Sequence, residues 1–541
     1  MKSIRRTPRA LRTLFCLLVT LVASNGAQAS TQPQLKDYAR YIEQARADLG
    51  NVGVAVAVVH GDRVVFAQGF GVKEYGKADK VGPDTLFQIG STTKAFTPAT
   101  LALLVDAGKL GWDDPVVNYL PEFQLQDPWL TRHLTLRDTV THRSGIAETP
   151  YFVLAAMNSD EAVRQLRYIP AEAEFRDSYR YSNLMYGVAG QVVGAVSGMR
   201  WQDFIKQRLL QPLQMNRSGA SPYDFWDAKY VAPTFQGTAA IGRYSHTDAR
   251  DGDVAVPHIM DERGTPKMIP WQSYDNAAGA GSIVSSANDM THWIIMNLNQ
   301  GRFAGRQILS PEVVKEMHQT QNLRGGDSRF PFGETSEGYA MGWNKSRYHE
   351  RSLLTHGGGI IGFPAFVALL PEAKIGVVVL ANSEQTVGGD NQALRKAIAL
   401  RAIDDLLNKP QRQWSREFLA RAKQSGAELQ ERKDAALKSR LQNAPASLPL
   451  EQYVGDYADQ RLHSGPVKVR LADGQLELSF AGAGAYSATL EHWHHDVFRL
   501  LQKGRDESWS FVNFSIDPLG KSASLSMFDG TFDRLTQEQT R

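Results

Sequence analysis

At 541 residues the chain is long for a single hydrophobic core and is expected to fold as two domains. A formal charge of only +3, with no clustered basic patch, excludes nucleic acid as a partner. The one cysteine, Cys16, falls in a stretch expected to be removed, which excludes disulfides, a thiol nucleophile and thiolate metal sites from the mature protein.

Residues 1–29 read as a signal peptide. Arg5, Arg6, Arg9 and Arg12 give a basic start, Leu14 to Ala23 is largely apolar, and Ala27-Gln28-Ala29 precedes Ser30. The apolar run is short for a full span, so no stable membrane insertion is expected after cleavage. Losing Lys2 and the four arginines takes the formal charge from +3 to −2. The expected location is periplasmic or secreted.

Leu35 to Leu49 reads as a helix. Val52 to Val59 and Arg63 to Gly69 read as a hairpin about His60-Gly61-Asp62. Ala95 to Ala107 is helical and closes at Gly108. Thr135 is the expected cap of a helix over Leu134 to Thr141, and Ser159 that of a helix over Asp160 to Leu166. Asn183 to Val196 is helical despite Gly187, Gly190 and Gly194. Residues 216–275 lack periodicity and read as excursions around a cleft. Ala287 to Leu298 resumes a helix. Arg351 to Thr355 is a strand running into His356-Gly357-Gly358-Gly359, and Phe366 to Leu370 pairs with Ile375 to Leu380. Asn391 to Leu407 closes the first domain, residues 30–408. Paired strands near both ends of it predict one sheet, flanked by helices.

Residues 409–450 read as a charged, solvated linker. Beyond 451 the texture changes to seven short alternating strands, which predicts a small antiparallel β-barrel over 451–541.

Three clusters carry chemistry. Ser91-x-x-Lys94 opens a helix, so a hydroxyl and an amine lie about one turn apart where backbone donors favour negative charge. Tyr181-Ser182-Asn183 precedes a helix, and His356-x-Gly358 follows a strand. Each alone is weak. In this order, with Phe87-Gln88-Ile89-Gly90, Leu134-Thr135-Leu136-Arg137-Asp138 and His142-Arg143-Ser144-Gly145 around them, they resemble the serine β-lactamase and penicillin-recognising enzyme family over residues 35–405. The nearest branch is that of class C β-lactamases, D-aminopeptidases and esterases. Tyr453-Val454-Gly455-Asp456-Tyr457 and Phe528-Asp529-Gly530 resemble the lipocalin-like domain that some of these hydrolases append.

The resemblance implies an α/β (α+β) β-lactamase-like fold and a serine hydrolase. Ser91 would form an acyl-enzyme, Lys94 would accept or share its proton, and Tyr181 would pass the proton to the leaving group. Asn183, His356, Gly358 and Gly359 would bind substrate, with the N–H groups of Ser91 and Gly359 as the oxyanion hole. Histidine in place of the family's usual lysine weakens recognition of a free carboxylate, because histidine is mostly neutral at pH 7. The implied substrate is a small peptide, with esters and β-lactams as alternatives, and a non-catalytic penicillin-binding-like protein is the non-enzymatic reading. No cofactor or metal is indicated, and oligomerisation stays open.

Overall fold

The computed structural model describes residues 35–146, 157–232, 244–261, 263–323, 335–384, 392–459, 466–480, 487–502, 509–527 and 530–536. The expected signal peptide, Tyr486, Phe528 and Asp529 lie outside the described residues.

One antiparallel sheet organises the first domain. Its strands are β1 (Gly53–His60), β2 (Arg63–Gly71), β3 (Thr335–Tyr339), β4 (Asn344–Tyr348), β5 (Arg351–Ile360), β6 (Phe363–Leu370) and β7 (Ile375–Ala381), in the order β3-β4-β5-β6-β7-β1-β2. The two ends of the domain meet where β1 pairs with β7, Val56 opposite Val379 and Val58 opposite Val377. From Val54 to Val59 β1 is apolar at every position because both of its faces are covered. Val54, Val56 and Val58 pack with Tyr38 and Ile42 of α1 (Tyr38–Asp48) and with Ile398 of α7 (Ala393–Leu406). Ala55, Ala57 and Val59 turn to the larger core, which contains Phe96 of α2 (Phe96–Asp106) and Trp293 of α6 (Ala287–Leu298). These two rings stack at 3.9 Å and tie the two helices together on that face.

Several local expectations are corrected. Residues 90–95, the expected start of the α2 helix, form a 3₁₀ turn, and α2 proper begins at Phe96. Asn158 rather than Ser159 caps the helix Ser159–Gln165, through a capping box with Glu161. Thr135 does cap its helix, the single turn α3 (Leu136–Thr139), with Asp138 reciprocating. The His356–Gly359 run is extended strand within β5 rather than its exit. Helices α4 (Asn183–Ser197) and α5 (Ala278–Gly281) complete the frame of the site.

Residues 414–439 of the expected linker form one 26-residue helix, α8 (Trp414–Ser439), about 39 Å long at 1.5 Å per residue. Its first turns are anchored by buried Trp414, Phe418 and Ala422, while Leu429 and Leu437 are exposed. The second domain is a closed antiparallel barrel of eight strands, β8 (Gly455–Ala458), β9 (Val467–Ala472), β10 (Gln475–Phe480), β11 (Ser487–His494), β12 (Val497–Gln502), β13 (Phe511–Ile516), β14 (Ser522–Met527) and β15 (Gly530–Arg534). The extra strand over the sequence reading is β8, which is only four residues long and closes the barrel against β15. Alternate residues such as Val467, Val469, Leu476, Leu478, Leu500 and Phe514 are buried inside. Among the described residues no helix is long and apolar enough to cross a membrane.

Candidate active site

Ser91 and Lys94 stand on the 3₁₀ turn at the head of α2. With three residues per turn, positions i and i+3 eclipse, so hydroxyl and amine lie over one another. Lys94 Nζ donates to Ser91 Oγ at 3.1 Å. Lys94 is fully buried, and its ammonium also reaches Asn183 Oδ1 at 2.5 Å and the carbonyl of Ala280 at 2.9 Å. Three acceptors match the three hydrogens of an ammonium and hold it in a fixed direction. The rings of Tyr181 and Tyr186 lie 4.7 and 5.4 Å from the same buried nitrogen, which adds cation–π attraction.

Tyr181 donates its hydroxyl hydrogen to Ser91 Oγ at 2.8 Å. Ser91 Oγ therefore lies between an amine and a phenol. Asn183, the first residue of α4, grips Lys94 with its carbonyl oxygen and gives its amide to the Tyr274 hydroxyl at 3.1 Å.

β5 supplies the opposite wall. Its first half pairs with β4 over residues 351–355, whereas residues 356–360 pair with β6 alone among the described strands. Gly359 stands opposite Pro364, which has no N–H, next to the two-residue turn Ile361-Gly362. That is a non-hydrogen-bonded pair, so the Gly359 N–H points away from β6 and toward the open edge. The edge comes close to the nucleophile: a Cβ on Gly358 would lie 2.0 Å from the Ile89 carbonyl oxygen, and one on Gly90 would lie 2.7 Å from the Gly359 nitrogen. Gly90 also has a φ of 50°, so both the approach and the backbone require glycine there.

His356 is buried beside this wall rather than presented to it. Its Nδ1 lies 2.7 Å from the Gly357 carbonyl, and its Nε2 lies 3.2 Å from the Tyr339 hydroxyl. The chain of contacts continues from Tyr339 to the Tyr186 hydroxyl at 3.3 Å, and Tyr186 donates to the Val140 carbonyl at 2.6 Å. Burial pushes both phenols above the usual tyrosine range, so they stay neutral donors at physiological pH.

The structure thus brings Ser91, Lys94, Tyr181 and Asn183 into mutual contact and sets Gly358 and Gly359 beside them, while His356 joins the tyrosine cluster behind. Sequence reasoning missed Tyr274, Ala280, Tyr186 and Tyr339. Tyr274 lies in the 216–275 stretch read as a cleft wall, but nothing in that stretch singled it out. Ala280 acts through its backbone and has no side-chain signature.

A serine held by an amine and a phenol at the head of a helix, facing an open strand edge, defines a serine hydrolase of the penicillin-recognising class. The chain belongs to the beta-lactamase family: the family model described as Beta-lactamase matches residues 38–401. A second model, described as a domain of unknown function (DUF3471), matches residues 439–540, which span the barrel strands. The chain is 28% identical over 474 residues to an unguisins hydrolase of Aspergillus violaceofuscus, covering 82% of this chain and 79% of that protein. Among solved structures it resembles the octameric penicillin-binding protein homologue from Pyrococcus abyssi, with a TM-score of 0.57, 21% identity, and 92% and 99% of the two chains covered. It also resembles the D-amino acid amidase from Ochrobactrum anthropi SV3, with a TM-score of 0.52, 20% identity, and 69% and 98% covered.

Proposed function

We propose that the protein is an exported serine hydrolase that cleaves an amide bond of small peptides, including those with D-residues, through an acyl-enzyme on Ser91. The observation that carries the reading is the pair of hydrogen bonds converging on Ser91 Oγ, from Lys94 Nζ at 3.1 Å and from the Tyr181 hydroxyl at 2.8 Å. In its reactive form the coupled Lys94–Tyr181 pair carries one proton fewer than an ammonium plus a phenol, and Ser91 Oγ attacks the carbonyl carbon as its proton passes to that vacant site. The carbonyl oxygen, now negative, is held by the N–H groups of Ser91 and Gly359. The C–N bond breaks as Tyr181 protonates the leaving nitrogen. Water then attacks the acyl ester, gives its proton back through the same pair, and releases the carboxylic acid with Ser91 restored.

Two features support a peptide over a compact ester. The open edge at 356–360 offers backbone groups to an extended chain. His356 has both ring nitrogens committed to Gly357 and Tyr339, which leaves it ill placed to anchor a free carboxylate. Substrates blocked or continued beyond the scissile bond therefore fit this site better than those ending in a carboxylate.

The deciding experiment is an assay of the mature protein against D-amino-acid amides, D,D-dipeptides, p-nitrophenyl esters and a chromogenic cephalosporin, with Ser91→Ala in parallel. Amide turnover that disappears in Ser91→Ala is expected. Turnover that survives the substitution overturns the mechanism, and ester-only or cephalosporin-only turnover reassigns the substrate to a carboxylesterase or β-lactamase. Absence of a fluorophosphonate adduct on Ser91 moves the protein to the non-catalytic, penicillin-binding-like class. Export is tested by N-terminal sequencing of the protein made with its first 29 residues, expected to begin at Ser30.

A further inference from the structure

We propose that His142 is the positioning residue for Tyr181, and that the Thr135–Gly145 segment is the platform on which the 172–182 loop is laid. This rests on the catalytic reading of Ser91 and Tyr181 given above. The loop enters the site without regular secondary structure, yet Tyr181 must keep a 2.8 Å contact with Ser91. Its backbone is taken up at intervals by the platform: Glu172 N–H by the Gly145 carbonyl at 2.9 Å, Arg176 N–H by that of Arg143 at 2.8 Å, and Arg180 N–H by that of His142 at 2.8 Å. Gly145, at φ 79°, has room for no side chain, because a Cβ there would meet the Ala173 carbonyl oxygen at 2.3 Å. Buried Asp138 clamps the two layers from below through Arg143 and Arg176 at 2.5 and 2.7 Å.

His142 holds Tyr181 from both sides. Its carbonyl takes the N–H before the tyrosine, and its Nδ1 accepts the N–H after it, that of Ser182, at 3.1 Å. Its ring lies against the Tyr181 ring, with centroids 4.4 Å apart and planes 32° apart. The residue is fully buried and held at φ 56°, and Asn322 Nδ2 donates to the same carbonyl at 3.0 Å. An Nδ1 that accepts a backbone hydrogen leaves the proton of the neutral ring on Nε2. The carbonyl, Nδ1 and ring of His142 all bear on Tyr181 or its two chain neighbours, so it acts on the site through Tyr181.

The test compares two variants of similar size. His142→Asn keeps an acceptor at the Nδ1 position and tolerates a left-handed backbone, whereas His142→Gln carries its acceptor one bond further out. With an activated ester or amide, His142→Gln is expected to lose about 100-fold in kcat with KM within about threefold, and His142→Asn to recover most of that loss. In a Tyr181→Phe background the His142→Gln loss should vanish, because the group it positions is gone. ¹⁵N spectra of the wild-type protein should show an unprotonated Nδ1 on His142, a readout that needs no variant to fold. Losses that multiply, a His142→Gln enzyme with wild-type kcat beside an inactive Tyr181→Phe, or a protonated Nδ1 each overturn the inference alone. If Tyr181→Phe itself keeps full activity, the catalytic reading fails and this one with it.

Discussion

The approach of β5 to the nucleophile makes Gly358→Ala the most informative single change. A methyl group on residue 358 would sit 2.0 Å from the carbonyl oxygen of Ile89, two residues before Ser91, and 3.2 Å from Ala365 Cβ. Both neighbours belong to the frame, and one is backbone, so no side-chain rotation relieves the clash. The strand and the 3₁₀ turn must separate by about 1 Å, the scale of misplacement that costs about 100-fold in rate. The Gly359 N–H retreats from Ser91 by the same movement, so an oxyanion loses a donor as well. Gly359→Ala is the matched control for stability, since a Cβ there meets nothing within 4 Å. The assay is kcat on an activated substrate together with the rate of fluorophosphonate labelling and a thermal melt. Gly358→Ala is expected to fall about 100-fold in both rates and to melt lower, and Gly359→Ala to melt like wild type. A Gly358→Ala protein with wild-type rates refutes the geometry argued for this wall.

Three further outcomes follow from the charges and hydrogen bonds. Burial pushes the Asp275 carboxyl up to about 6, helped by Asp224, so the folded protein keeps that proton longer than the unfolded chain does. Wild type should lose stability as pH rises from about 4 through about 6, and Asp275→Asn should gain up to about 3 kcal/mol at pH 7 but almost nothing near pH 3.5, read by urea unfolding. Asp138 behaves in the opposite sense: burial alone would raise it, but Arg176, Arg143 and Thr135 hold it below the usual carboxylate range. Its contribution is present above that range and lost as pH falls through its lowered value, and Asp138→Asn should cost about 3–5 kcal/mol at pH 7 by leaving two arginines facing a neutral group. Asn183→Leu removes one of the three acceptors of Lys94 and should lower kcat about 10- to 100-fold with a smaller change in KM, measured by steady-state kinetics.

The central strands were legible because burial on both faces writes an unbroken apolar run, as in Val54 to Val59. β3 and β4 were not. Thr335–Tyr339 and Asn344–Tyr348 lie at the outer end of the sheet and are built largely from Ser, Gly, Asn, Lys and Arg, with no alternation to read. The linker helix was underestimated for a related reason, since α8 is mostly polar around its circumference once past Ala422. Within the site, the side chains that converge announced themselves by spacing: Ser91 with Lys94, and Tyr181 with Asn183. The groups that hold them did not, because a carbonyl such as Ala280 O or a glycine needed for close approach is specified by tertiary geometry rather than by local pattern. His356 was legible as a member of the site's third cluster, but its engagement with Tyr339 depends on a strand the sequence concealed.

The half-open edge of β5 also bears on selectivity and inhibition. On the peptide reading proposed above, recognition through N–H and C=O groups reads the course of a main chain and is nearly indifferent to what that chain carries, so discrimination among peptides would come from elsewhere around the cleft. A ligand that docks by adding a strand needs no resemblance to the natural substrate beyond an extended backbone and an electrophile over Ser91. Short peptide boronates, and backbones with residues of either hand, are therefore better starting inhibitors for this enzyme than molecules built around a carboxylate.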